Sequence, residues 1–253
     1  MGEANTLRAI GDLAHRTDDL AAARDAYQQA LLICRASHSH LGEANTLQAI
    51  GDLAQRTDDL AAARDAYRQA LPLYRAIKNR LGEADTLRGQ GLLNLMEGGA
   101  AVALRSFIEL PAMCQSIGDR LGIQAAFGNM ARAAAALGQI DRALCLAGES
   151  LALGRAANDR FGQSITLKLM VRLLQDAGDA AGWPAALVLY RELLAGMGDT
   201  RTLAETDALW QQVAQQLPAA ELELLRTQAP AHLETALAAA RERFGGGDPA
   251  RLD

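Results

Sequence analysis

Residues 42–81 are a second copy of residues 2–41. The first segment reads GEANTLRAIGDLAHRTDDLAAARDAYQQALLICRASHSHL and the second GEANTLQAIGDLAQRTDDLAAARDAYRQALPLYRAIKNRL, identical at 30 of 40 positions. The period continues more faintly: Leu-Gly recurs at 41–42, 81–82 and 121–122, then as Phe161-Gly162. Gly118-Asp119-Arg120 and Asn158-Asp159-Arg160 hold the same phase. A period of this length marks an array of stacked supersecondary units. The predicted copies are 2–41, 42–81, 82–121, 122–161 and 162–203.

Each copy reads as two helices. Leu7, Ile10, Gly11 and Ala14 fall on one face of a 3.6-residue period, and Leu20, Ala23, Tyr27, Ala30 and Leu31 form a second stripe. Between them Asp19 is placed to cap the second helix. The chain is rich in alanine and leucine and only 4% aromatic, which favours helix and argues against an all-β fold. One such hairpin cannot bury both apolar faces, whereas stacked copies can.

Small residues at Gly11, Ala23 and Ala30 with an aromatic at Tyr27, repeated as Gly51, Ala63, Ala70 and Tyr67, resemble the tetratricopeptide repeat (TPR) pattern. The 40-residue spacing is similar to the extended-helix arrays of bacterial sensor and scaffold proteins. The resemblance implies an all-α, right-handed superhelical solenoid of antiparallel hairpins. It also supplies a reason for Gly11, since glycine inside a helix costs about 1 kcal/mol relative to alanine. Here it admits a close crossing with the ring at Tyr27.

Later copies drift. Copy three keeps Gly91, Ala103 and Phe107 but turns through Gly98-Gly99, and copy four has Ala147 where an aromatic is expected. Copy five fits with about three extra residues around Gly182-Trp183-Pro184, so that Pro184 opens its second helix and Ala186, Tyr190 and Leu193 take the packing places. Pro72 and Pro111 are expected to bend or shorten the helices that hold them. Residues 204–244 read as a cap of short helices (206–216, 219–227 and 232–244) parted by Pro218 and Pro230. Trp210, Leu217, Leu222 and Leu225 are expected to cover the open end of copy five, and 245–253 to be a disordered tail. The array starts directly on a repeat, so copy one is expected to follow a missing upstream segment or to pack against another subunit.

The chemistry of the chain is not that of an enzyme. Neither lysine, Lys78 nor Lys168, follows a glycine as a P-loop requires, and GxSxG, HExxH and EF-hand patterns are absent. Cys34, His38 and His40 cluster, but copy two has Tyr74, Lys78 and Arg80 there, which favours packing and a solvated loop over a metal. No cofactor is expected. Three cysteines without a CxxC pair suit a reducing, cytoplasmic setting. A net charge of -5 argues against nucleic acid as a partner, and no apolar run has the length of a membrane span.

The TPR resemblance implies that first helices line a concave groove for a protein or peptide. The predicted groove residues are Arg8, Asp12, Asn45, Gln48, Asp52, Arg88, Leu92, Leu95, Met96, Arg132, Lys168 and Arg172. Leu92, Leu95 and Met96 stand where copies one and two carry Asp, then His or Gln, then Arg. They suit a partner's apolar side chain or a C-terminal segment folded back over them. Arg132, Lys168 and Arg172 could pair with a carboxylate-bearing peptide or remain solvated, Arg172 beside Asp176. The functional expectation is a non-catalytic binding scaffold, the sensor end of a larger bacterial signalling protein. The alternatives are a receptor for a peptide or small ligand, and a self-assembly module that stacks through copy one.

Overall fold

The computed structural model describes residues 2–251, which form fourteen α-helices and no strand. The last two residues of the expected tail, Leu252 and Asp253, lie outside the described residues. The chain divides into two compact units, Met1–Gly118 and Asp119–Asp253.

The first unit holds α1 (Gly2–Arg16), α2 (Leu20–Ala36), α3 (His40–Arg56), α4 (Leu60–Ala76), α5 (Arg80–Met96), α6 (Ala100–Ile108) and α7 (Leu110–Ser116). Helices α1 to α6 each pack on the next in order. The second unit holds α8 (Arg120–Ala136), α9 (Ile140–Ala156), α10 (Arg160–Asp176), α11 (Gly182–Met197), α12 (Thr200–Glu205), α13 (Asp207–Gln216) and α14 (Ala219–Phe244). Here α8 to α11 pack in sequence, and α14 lies against both α9 and α11.

The turns carry the repeat most faithfully. A residue with positive φ stands at 18, 38, 58 and 78 as Asp, His, Asp and Lys, then as Gly98, Gly118, Gly138, Asn158, Gly178 and Gly198. Each reverses the chain after a helix. The next residue usually caps the following one: the Asp19 and Asp59 carboxylates accept from Ala22 and Ala62 N–H, both at 3.1 Å. Ser39, Asn79, Asp119, Asp159 and Asp199 do the same for α3, α5, α8, α10 and α12. Gly99 and Gln139 make no such bond, so α6 and α9 start without a side-chain cap.

Close crossing at the small positions is as expected. A Cβ on Gly11 or Gly51 would stand 2.5 Å from a ring carbon of Tyr27 or Tyr67, and Gly91 faces the Phe107 ring in the same way. The three rings are buried. Cys34 is buried, and a Cβ on Gly42 would lie 2.7 Å from its Sγ.

Pro111 does shorten its helix as expected, and divides the second helix of copy three into α6 and α7, because it cannot donate to the preceding turn. Several other expectations are corrected. Pro72 stays inside an unbroken α4. Copy five contains no inserted residues, since α12 begins at Thr200, one full period after α10 begins at Arg160. Leu187 therefore takes the aromatic place, Tyr190 occupies the register of Ala30 and Ala70, and Leu193 is only half-buried. Pro230 lies within a continuous α14 and separates nothing. That helix is laid along α9 and α11, burying Leu225, Leu233 and Leu237 with Ala229, Ala236 and Ala240. Trp210, expected to close an end, is half-buried with Arg191 and Arg226 over its ring at 5.7 and 5.3 Å. Beyond the triple glycine, Arg142 donates to the Pro249 and Arg251 carbonyls at 2.9 and 2.5 Å.

Candidate functional site

In the first unit, five of the predicted groove residues line one cleft. Arg8 and Asp12 come from α1, and Asn45, Gln48 and Asp52 from α3. Leu81 and Asp85 of α5 form the far wall, and Tyr74 lies beneath. The cleft encloses about 310 Å³. Its residues converge because Arg8, Asp12, Asn45, Gln48 and Asp52 occupy helical spacings on two neighbouring first helices whose opposite faces are committed to packing.

Tyrosine hydroxyls hold the cleft floor. Tyr27 donates to Asp12 at 2.8 Å and Tyr67 to Asp52 at 2.7 Å. Tyr74 Oη lies 2.8 Å from Asn45 Oδ1 and 2.7 Å from Gln48 Oε1. One hydroxyl has one proton, so the second amide must turn its NH₂ toward Tyr74. Burial pushes all three hydroxyls well above the ordinary tyrosine value, and the nearby carboxylates Asp12, Asp52 and Asp85 push them further. They remain protonated donors at any physiological pH.

The acids are partly neutralised. Arg8 and Asp12 pair at 3.5 Å, and Arg88 and Asp85 at 3.2 Å. Asp52 is exposed at the edge of the cleft, with the surrounding protein removing part of its hydration shell. That desolvation raises its carboxyl, opposed by the Tyr67 hydrogen bond and the Arg88 charge.

The remaining predicted residues lie apart from this cleft. Arg88 is paired with Asp85, which lines its wall. Leu92 and Leu95 are half-buried on α5, and Met96 is exposed with its Sδ 3.5 Å from Gln55 Nε2. In the second unit Lys168 and Arg172 border a separate cavity of about 540 Å³, while Arg132 is exposed on α8 and does not line it. The role of Tyr74 was not foreseen. Its signal was the replacement of Cys34 by a ring at an otherwise duplicated position.

The tetratricopeptide repeat family model matches residues 2–76. The fold is a TPR fold. Solved structures of similar fold cover more of the chain. BtubC (BKLC) from P. vanneervenii superimposes with a TM-score of 0.65 at 17% identity, covering 77% of this chain and 80% of that one. The apo form of RapI gives 0.63 at 12% identity, covering 97% and 100%. PilW, a type IV pilus biogenesis factor, gives 0.57 at 18% identity, covering 92% and 98%. No curated protein sequence matches the chain. TPR folds commonly mediate protein–protein interaction and are typically non-catalytic scaffolds. Among the described residues no helix is long and apolar enough to cross a membrane.

Proposed function

We propose that the chain is a non-catalytic scaffold that binds a protein or peptide on its first-helix face. The observation that carries this reading is the convergence of Arg8, Asp12, Asn45, Gln48 and Asp52 on one open cleft. Amides and carboxylates held by buried tyrosines form a rigid set of donors and acceptors, suited to an extended backbone or a basic side chain. Leu81 adds a half-exposed apolar lip to the cleft, and Leu92, Leu95 and Met96 are the proposed seat for an apolar side chain.

Selection of peptides from a random display library against the whole chain tests the reading. A selected peptide should bind the Arg8→Glu and Leu92→Asp variants at least about tenfold more weakly, with helicity unchanged. Equal binding by both variants would show that the surface is elsewhere.

A second reading is self-association through α1. Ile10 and Leu13 are 50% and 55% exposed, whereas Leu53, in the register of Leu13, is 3% exposed. Light scattering over a range of concentrations would reveal a mass increase that Leu13→Glu removes.

A further inference from the structure

In the first unit every first helix also touches the first helix of the copy before it, α3 on α1 and α5 on α3. Helix α12 begins in the register of a sixth copy but stops at Glu205 after six residues. Arg191 of α11 holds that break. It donates to the Leu203 carbonyl at 3.3 Å and to the Thr206 hydroxyl, and pairs with Asp207 at 2.8 Å. The space between α10 and the α12–α13 corner stays open as a cavity of about 540 Å³. That is within the range of small-molecule sites and larger than the cleft of the first unit.

The walls of this cavity differ in chemistry. Val171, Leu187 and Tyr190 form a buried apolar floor, with Leu209 of α13 opposite. At the mouth, Lys168 and Arg172 project one turn apart from α10. Lys168 makes no salt bridge among the described residues, and Arg172 meets Asp176 only at 3.9 Å with its side chain 82% exposed. Asp176 and Glu205 also line the cavity, but Glu205 pairs with Arg201 of its own helix at 3.7 Å, so Lys168 and Arg172 are the cations that the α10 wall offers over the apolar chamber. Burial raises the Tyr190 hydroxyl above its ordinary value, so it stays a neutral donor.

We propose that this cavity is a binding site for a small molecule with an apolar body and a terminal carboxylate. The body lies on Val171, Leu187 and Leu209, and the carboxylate is met by Lys168 and Arg172. A fatty acid and the C-terminus of a short apolar peptide share this chemistry. The site is independent of the peptide-binding reading of the first unit, because no residue is common to the two.

Calorimetric titration of the whole chain with octanoate, with N-acetyl-leucyl-leucine and with the amide of that dipeptide tests the proposal. Binding of at least one carboxylate, with the amide about tenfold weaker or more, is expected. Preference for octanoate or for the dipeptide identifies the source of the carboxylate. Lys168→Gln with Arg172→Gln should weaken binding by a similar factor. Gln175→Trp, an exposed position at the mouth, should block it with helicity unchanged. Arg8→Glu should have no effect, which separates a failure here from a failure of the first-unit cleft. Absence of binding by both carboxylates at millimolar concentration, equal binding of the amide, or unchanged binding by the variants would overturn the proposal.

Discussion

At Gly51 the absence of a side chain sets how closely α3 approaches α4. Gly51→Ala would bring a Cβ to 2.5 Å from the Tyr67 ring, which is itself packed on all sides. The ring or the helix must move, at a cost of about 1–3 kcal/mol in unfolding free energy, read as a lower denaturant midpoint. The hydroxyl of the same tyrosine has a separate role, since it donates to Asp52 in the cleft. Tyr67→Phe removes that bond, with an expected loss of about 1 kcal/mol. The bond favours the ionised carboxylate, so its removal should raise the already elevated Asp52 value further. An NMR titration of the Asp52 carboxyl would show the shift, and a fall or no change would count against this account of the floor. Gly51 and Tyr67 were both legible in the sequence as packing residues. The Asp52 partnership was not, because it joins positions on different helices through an atom at the end of a side chain.

Helix ends and helix-to-helix ties belong to the next scale. Arg75 near the end of α4 and Arg80 at the start of α5 both pair with Glu83, at 2.8 and 2.9 Å, clamping the turn between the helices. The Glu83 side chain is 7% exposed while both arginines are more than half exposed, so solvent screens the clamp from outside. The hydrogen bond from Arg75, and then that from Arg80, hold the Glu83 carboxyl below the ordinary value of 4.5 despite burial. A folded-state value below the unfolded one means that the stabilisation is complete above about pH 4.5 and is lost as pH falls through the folded value. Glu83→Gln should cost about 1–2 kcal/mol at neutral pH and flatten the acid limb of a stability-versus-pH profile. The junction of copies one and two has the same pairing in Arg35 and Glu43 at 2.9 Å. Helix starts were legible wherever an aspartate followed a turn. The division of α6 from α7 and the continuity of α4 and α14 were less so, because one residue type, proline, has opposite outcomes in them. Neighbouring contacts decide whether its lost hydrogen bond ends the helix.

Across the molecule, the second helices change character between the two units. Arg24, Asp25 and Gln28 of α2 are exposed, and so are Arg64, Asp65 and Arg68 of α4. In the same registers α9 has Leu144, Cys145 and Gly148, and α11 has Pro184, Ala185 and Val188. All but Gly148 of these six are buried, and a Cβ on Gly148 would sit 3.4 Å from Leu237 of α14. Arg241 and Glu149 tie α14 to α9 at 2.5 Å, and Arg243 and Asp141 at 2.8 Å. A chain ended after Gln216 loses α14 and exposes this apolar face. It should melt at a lower temperature and self-associate, as thermal unfolding and light scattering would report. Unchanged melting and a monomeric mass would mean that α14 is only a passenger.

The sequence by itself determined the helical hairpins, their period and the glycine–ring crossings, because these depend on contacts a fixed number of residues apart and are written again in each copy. It also marked the first-helix face, since a residue not used in packing stands out when copies are aligned. Only the tertiary structure decided that α14 lies along α9 and α11, that α12 stops at Glu205, and that Tyr74 braces Asn45 and Gln48. Each of those rests on side chains that meet once, across separations the repeat does not constrain. A periodic signal has no means of recording a contact that occurs a single time.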